Sequence, residues 1–217
     1  MAATFGPGAN LASKLGLIGL AGSALAVIAW WWGAPRTDYK RNEYWFVDQV
    51  VPFSHQHHVA GLGLDCRFCH IEIENSATGS MPPTHVCMTC HSQIWTNARM
   101  LAPVRDSLAN DQPLVWNRVT NVPDYVYFNH SIHIAKGVGC SECHGPIDRM
   151  DLTYKAKDME MTFCIDCHAN PGPRLRPADQ IYNTEWQRTD TTPSPQALMA
   201  QYHIPNRDLL DCSVCHR

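Results

Sequence analysis

The sequence predicts a mainly α chain with much irregular structure: a single N-terminal transmembrane helix, then a domain of short helices and turns. Three observations lead there. Leu15 to Trp32 run for eighteen residues without a charge, which at about 1.5 Å per residue crosses most of a bilayer core. Among 217 residues, 15 Pro and 13 Gly argue against long regular elements after that run. Ten cysteines and twelve histidines replace part of an ordinary apolar supply, since some of the 45% hydrophobic content lies in the N-terminal run.

Lys14 bounds the apolar run on one side and Arg36, Lys40 and Arg41 on the other, and Trp30-Trp31-Trp32 reads as an interfacial aromatic belt. The competing reading is a cleaved signal peptide, with Ala24-Leu25-Ala26 as its small-residue site. A cut there falls mid-run, so a retained anchor is expected. Gly16, Gly19 and Gly22, with Ser23 and Ala26, allow close approach of another membrane helix, although small residues are common in such helices anyway. The basic residues after the run point the C-terminal side toward the cytoplasm; the cysteines point the other way.

All ten cysteines fall in five CxxCH units: Cys66-Cys69-His70, Cys87-Cys90-His91, Cys140-Cys143-His144, Cys164-Cys167-His168 and Cys212-Cys215-His216. This is the attachment pattern of c-type haem. Positions i, i+3 and i+4 share a helix face, so two thiols can bond one porphyrin edge while the next imidazole reaches the iron. Zinc sites use paired CxxC units but need no histidine after each second cysteine, and disulfides leave all five histidines unexplained. Five haem c groups are expected as the organising core of the domain. Covalent attachment is completed outside the cytoplasm, so the haem domain belongs on the periplasmic or external side of an inner-membrane, single-pass chain.

Seven histidines lie outside the motifs, His55, His57, His58, His85, His130, His133 and His203, for five distal positions. Phe53, His55 and His58 recur as Phe128, His130 and His133, each 75 positions on, and a second motif follows each unit after 21 or 24 residues. Two tandem two-haem modules with a fifth haem appended are expected. His203, nine residues before Cys212, is the candidate for the last iron. His57 reads as a bystander. His85, two residues before Cys87, and Met161, three before Cys164, remain alternative ligands, and a methionine would raise its haem's potential. With side chains enough to close every iron, electron carriage is favoured over substrate chemistry.

The Phe-x-His-x-x-His arrangement before CxxCH resembles the small multihaem cytochromes of the c3 and c7 type. That resemblance implies that His55 serves the haem on Cys66 and Cys69, and His130 the haem on Cys140 and Cys143. His58 and His133 then ligate the second haem of each module, or exchange between modules.

The expected organisation is an anchor with its flanks at 1–36, a first two-haem module at 37–93, a haem-free connector at 94–126, a second module at 127–170, and a Pro-rich connector with the fifth haem at 171–217. Trp95, Leu101, Val104, Leu108 and Trp116 are the residues expected to pack the haem-free stretch. Pro171 to Pro195 reads as an extended tether, and the last haem as the most exposed and a point of electron exchange. A formal charge of -3 and no long basic run argue against nucleic acid as a partner.

Val51-Pro52-Phe53-Ser54-His55 through Cys66-Arg67-Phe68-Cys69-His70, Pro82-Pro83-Thr84 before Cys87-Met88-Thr89-Cys90-His91-Ser92-Gln93-Ile94-Trp95, Pro123-Asp124-Tyr125-Val126-Tyr127-Phe128-Asn129-His130 and Lys136-Gly137-Val138-Gly139-Cys140 closely resemble the pentahaem cytochrome c subunit of alternative complex III. The likeness covers most of residues 45 to 170 and the anchor; the C-terminal stretch matches mainly through its haem motif. It implies a relay from a quinol-oxidising respiratory or photosynthetic complex to a periplasmic acceptor. The implied partners are an iron-sulfur subunit, polytopic quinol-binding subunits and a monohaem cytochrome c. The alternatives are a stand-alone anchored quinol dehydrogenase and, less favoured, a terminal multihaem reductase.

Overall fold

The computed structural model describes residues 5–205 and 209–216. The chain divides into two compact units, residues 1–43 and 44–217.

The first unit is dominated by a 25-residue helix, Ala9–Gly33, in which no residue is buried. At about 1.5 Å per residue it is roughly 37 Å long, enough to span a hydrocarbon core of about 30 Å. The stretch Ala9–Arg36 is long and apolar enough, by length and composition, to cross a membrane. Its end is closed chemically: Arg36 donates to the Trp32 carbonyl and lies 4.2 Å over the Trp32 ring. Pro35 then opens a single tight turn, Ala34–Arg36. A short helix, Asp38–Arg41, stops at Asn42, which takes the left-handed conformation (φ 55°) that asparagine tolerates better than most residues.

The second unit is a set of short helices and turns; among the described residues it holds three isolated bridges, Phe46 with Tyr154, Val126 with His216 and Val138 with Leu175, and no strand. Its buried apolar side chains number eight among the described residues, far fewer than an ordinary domain of this length uses. One cluster, Val51, Leu101 and Val104, packs with Met88, Cys87, Leu114 and Trp116, and joins helix Thr84–His91 to helix Ala102–Ala109. A hydrogen bond of 2.6 Å between the Thr84 and Ser107 hydroxyls ties the same two helices. Of the residues expected to pack this stretch, Trp95 and Leu108 are instead 62% and 48% exposed. Pro103 sets the first turn of Ala102–Ala109, and the inward positions left to the helix are Val104 and Ser107 rather than Leu108.

The Pro-rich segment is packed, not merely tethered. Leu175, Arg176 and Ile181 within it, and Leu198 just after it, are among the most buried of the described residues. Ser194 caps helix Pro195–Gln201 by accepting from the Ala197 amide, with Pro195 in the first turn.

Candidate haem sites

Each cysteine pair lies on one helical turn, in helices Cys66–Cys69, Thr84–His91, Cys140–His144, Met161–Ala169 and Cys212–Cys215, and the motif histidine is in the helix in the second, third and fourth and just past its end in the first and fifth. The local reasons differ. Asp65 caps the first by accepting from the Arg67 amide, whereas Pro83 and Gly139 enter theirs in extended conformation.

The imidazoles are held by Nδ1. In His58, His70, His91 and His130 that nitrogen faces a backbone carbonyl, of Ser54 (2.8 Å), Ser80 (2.8 Å), Ile94 (3.3 Å) and Ala77 (3.0 Å). In His133, His168 and His216 the carbonyls are those of Asn129 (2.7 Å), Leu209 (2.9 Å) and Tyr125 (3.1 Å). His55 Nδ1 lies 3.1 Å from the Thr153 hydroxyl. A carbonyl can only accept, so Nδ1 carries the proton and Nε2 presents its lone pair, the tautomer of a metal-bound imidazole.

Three pairs of rings face each other: His58 and His91 with centroids 6.2 Å apart, His130 and His144 at 6.4 Å, and His133 and His168 at 6.1 Å. Two imidazoles each about 2 Å from a shared metal, with ring centres about 1.2 Å farther back, have centroids about 6.4 Å apart. Ligand types and spacing therefore fit iron between each pair, and the Nδ1 bonds of His58, His91, His130, His133 and His168 set the tautomer that ligation needs. For His55, burial and then the nearby His70 hold the pKa down to about 4; for His144, burial and then His130 and His70 do the same, again to about 4. Both stay neutral near pH 7, as ligation requires. Burial also lowers His58 and His133.

The 75-residue repeat is visible in the rings. Phe53 stacks on His58 (4.4 Å, 25°) and meets His55 edge-on (5.0 Å, 88°). Phe128 stacks on His133 (4.4 Å, 26°) and meets His130 edge-on (4.7 Å, 90°).

The motifs also neighbour one another in a fixed order. Burial, then Cys87, raises the Cys69 thiol. Hydrogen bonding with Cys140 lowers Cys66 to about 7 and raises Cys140. Burial, then Cys167, pushes Cys143 up to about 12, and burial, then Cys215, raises Cys164. Electrostatic influence between thiols thus links the second motif to the first, the first to the third, the third to the fourth and the fourth to the fifth, and the two exposed cysteines, Cys90 and Cys212, belong to the two ends.

The ring packed against His216 is that of Tyr125, at 5.8 Å. His203 sits at φ 51° just after helix Pro195–Gln201, its amide bonded to the Ala200 carbonyl. His57 stacks on Trp95 at 6.2 Å, His85 is exposed, and Met161 is 62% exposed. Sequence reasoning missed the Nδ1 acceptors because they are backbone atoms, which leave no residue signature; it also missed Thr153, 98 residues from the His55 it bonds, and Arg176, which bonds Ser141 and Glu142 from 35 and 34 residues away.

Facing, Nδ1-anchored imidazoles beside CxxCH helices are the apparatus of a multihaem c-type cytochrome. Known proteins agree with that class. The chain is 27% identical over 175 residues, 69% of its length and 79% of the relative's, to the protein named menaquinone reductase, multiheme cytochrome c subunit, of Nitratidesulfovibrio vulgaris Hildenborough. It is 29% identical over 94 residues to cytochrome c3 of the same organism, covering 42% of this chain and 58% of that one. No protein-family profile matches the chain.

Proposed function

We propose that the chain is a membrane-anchored c-type cytochrome carrying five haems, with His55 opposite His70, His58 opposite His91, His130 opposite His144, His133 opposite His168 and His203 opposite His216. The observation that carries this reading is the set of three ring pairs separated by 6.1 to 6.4 Å, the span of one iron with a nitrogen on each side. When bound, haem supplies a one-electron iron couple. The chain's residues do the rest: cysteines fix the cofactor by thioethers, Nδ1 bonds aim the ring nitrogens, and histidines on both faces keep water and substrate from the metal. Such closed sites transfer electrons without bond chemistry. The eight buried apolar side chains further support a domain whose remaining apolar mass is cofactor.

In this reading the chain relays electrons from a quinol-oxidising complex of the alternative complex III kind to a periplasmic acceptor. Polytopic quinol-binding subunits and an iron-sulfur subunit stand on one side and a monohaem cytochrome c on the other. The order in which the motifs' thiols influence one another supports a linear relay with the second and fifth haems at its ends. A second reading, flow toward quinone, is favoured by one observation: the relative that covers most of the chain is named for menaquinone reduction. Intact mass of the purified chain should exceed the polypeptide by five haems, and a smaller excess overturns the count. Rapid mixing of the oxidised complex with quinol should reduce the haems; haems that stay oxidised with quinol but, once reduced by an external donor, are reoxidised by quinone favour the reverse direction.

A further inference from the structure

Arg176 is a buried cation laid on the third attachment loop. It is 3% exposed. Its guanidinium donates to the Asn183 carbonyl (2.6 Å), the Ser141 hydroxyl (2.6 Å) and the Glu142 carboxylate (2.9 Å), and lies 5.2 Å over the Trp186 ring. Its Nε is buried with no hydrogen-bond partner, pressed against Gly139, where a β-carbon would come within 2.4 Å of it. The backbone is fixed too: the Arg176 amide donates to Gly137 (2.8 Å), and its carbonyl accepts from the Tyr202 hydroxyl (2.7 Å).

Ser141 and Glu142 are the two residues between Cys140 and Cys143, so this charge is bonded to the loop that carries both attachment points. Packing alone does not require it. An arginine cannot shed its proton, and burying an ion pair gains little over an apolar side chain of similar volume. What the guanidinium adds is a permanent positive charge in a poorly screened place. Reduction adds an electron to a haem, and nearby positive charge favours the reduced form; charge, burial and hydrogen bonding are among the levers a protein has on such a potential.

We propose that Arg176 sets the reduction potential of the haem on Cys140 and Cys143, raising it, while Glu142 opposes it from the same loop. This rests on haem attachment at those cysteines. The test uses the full-length holoprotein. Intact mass comes first: a wild-type chain lacking that haem overturns the attachment reading itself. With five haems present, spectropotentiometric titration of Arg176→Met should move one of five components to lower potential and leave four in place, and Arg176→Lys should recover much of the shift. Glu142→Gln should move the same component upward. Opposite shifts cannot come from a shared loss of structure. Unchanged potentials in fully loaded Arg176→Met, or shifts of the same sign in both variants, overturn the proposal. If Arg176→Met yields no holoprotein, Glu142→Gln decides: an upward shift supports the assignment, and none or a downward one overturns it.

Discussion

Replacing His133 with alanine removes the ring that faces His168 across 6.1 Å, and so, on the five-haem proposal, should leave one iron in five without its distal ligand. The structural cost can be sized first. His133 stacks on Phe128 at 4.4 Å, a contact type worth about 0.5–1.5 kcal/mol. Its Nδ1 bond to Asn129, 2.7 Å long, adds about 0.5–1.5 kcal/mol. A loss of about 1–3 kcal/mol lowers Tm by only several degrees in a domain of this size, and on the proposed reading thioethers at Cys164 and Cys167 would keep the haem in place. The variant should therefore be folded and fully loaded. Its electron paramagnetic resonance spectrum should convert about one fifth of the low-spin intensity to high-spin, following the five motifs. His133→Met should stay low-spin with that haem at higher potential. An unchanged spectrum in His133→Ala at full mass refutes the pairing, as does the same conversion in Met161→Ala, whose side chain is 62% exposed.

Acid should weaken the fold in a definite window. His55 and His144 are held at about 4 against an unfolded value near 6.5. Below pH 6.5 the unfolded chain binds protons that the folded one refuses, so stability is full above that pH and falls until about pH 4, by about 3 kcal/mol per histidine in the cofactor-free chain; iron ligation only deepens the effect. Guanidinium midpoints measured at several pH values check it, and midpoints that are flat between pH 7 and 4 rule it out. Leu198, at 0% exposure, should cost about 2.7–5 kcal/mol when cut to alanine; a midpoint shift worth under about 1 kcal/mol would show that the helix Pro195–Gln201 is not fixed by its core contact. Replacing residues 1–43, one of the two compact units, with a cleavable export signal should release a water-soluble protein with an unaltered haem spectrum, and continued sedimentation with membranes would show a second attachment.

The parts of the site legible in the sequence are those whose chemistry fixes spacing along the chain. CxxCH must fall within one helical turn, and the Phe-His-His unit repeats at 75 residues because its three rings touch one another locally. The rest depends on contacts that spacing cannot encode. His168 bonds the Leu209 carbonyl 41 residues away, and His55 meets Thr153 across 98. Trp95 matched a packed pattern yet sits at φ 56° and largely exposed, because the backbone turns it outward toward His57. The Pro-rich composition of 171–195 correctly excluded long helices but gave no sign that Leu175 and Arg176 pack against Val138 and Gly139.

The two repeats agree in their side chains more closely than in their backbones. Gln56–Gly61 is a wide π-type turn, and the equivalent stretch lies in an α-helix, His130–Ala135. Yet the stacking distance of phenylalanine on the second histidine is 4.4 Å in both, and each of those histidines bonds the carbonyl four residues back. The ring triad is thus the repeated device, and the backbone adapts to carry it. Identical ligand sets cannot by themselves give neighbouring haems different potentials, so a difference must come from what surrounds them. The first motif has the buried carboxylate of Asp148 in electrostatic range of Cys66 and His55, and the third has the buried guanidinium of Arg176 on its loop. Negative charge disfavours an added electron and positive charge favours it. With the Cys66 and Cys140 side chains hydrogen-bonded, these two charges would, on the five-haem proposal, favour electron transfer from the first haem to the third. Asp148→Asn should therefore raise the first component and narrow the gap in a potentiometric titration, and a gap that widens or stays fixed would place the origin of the gradient elsewhere.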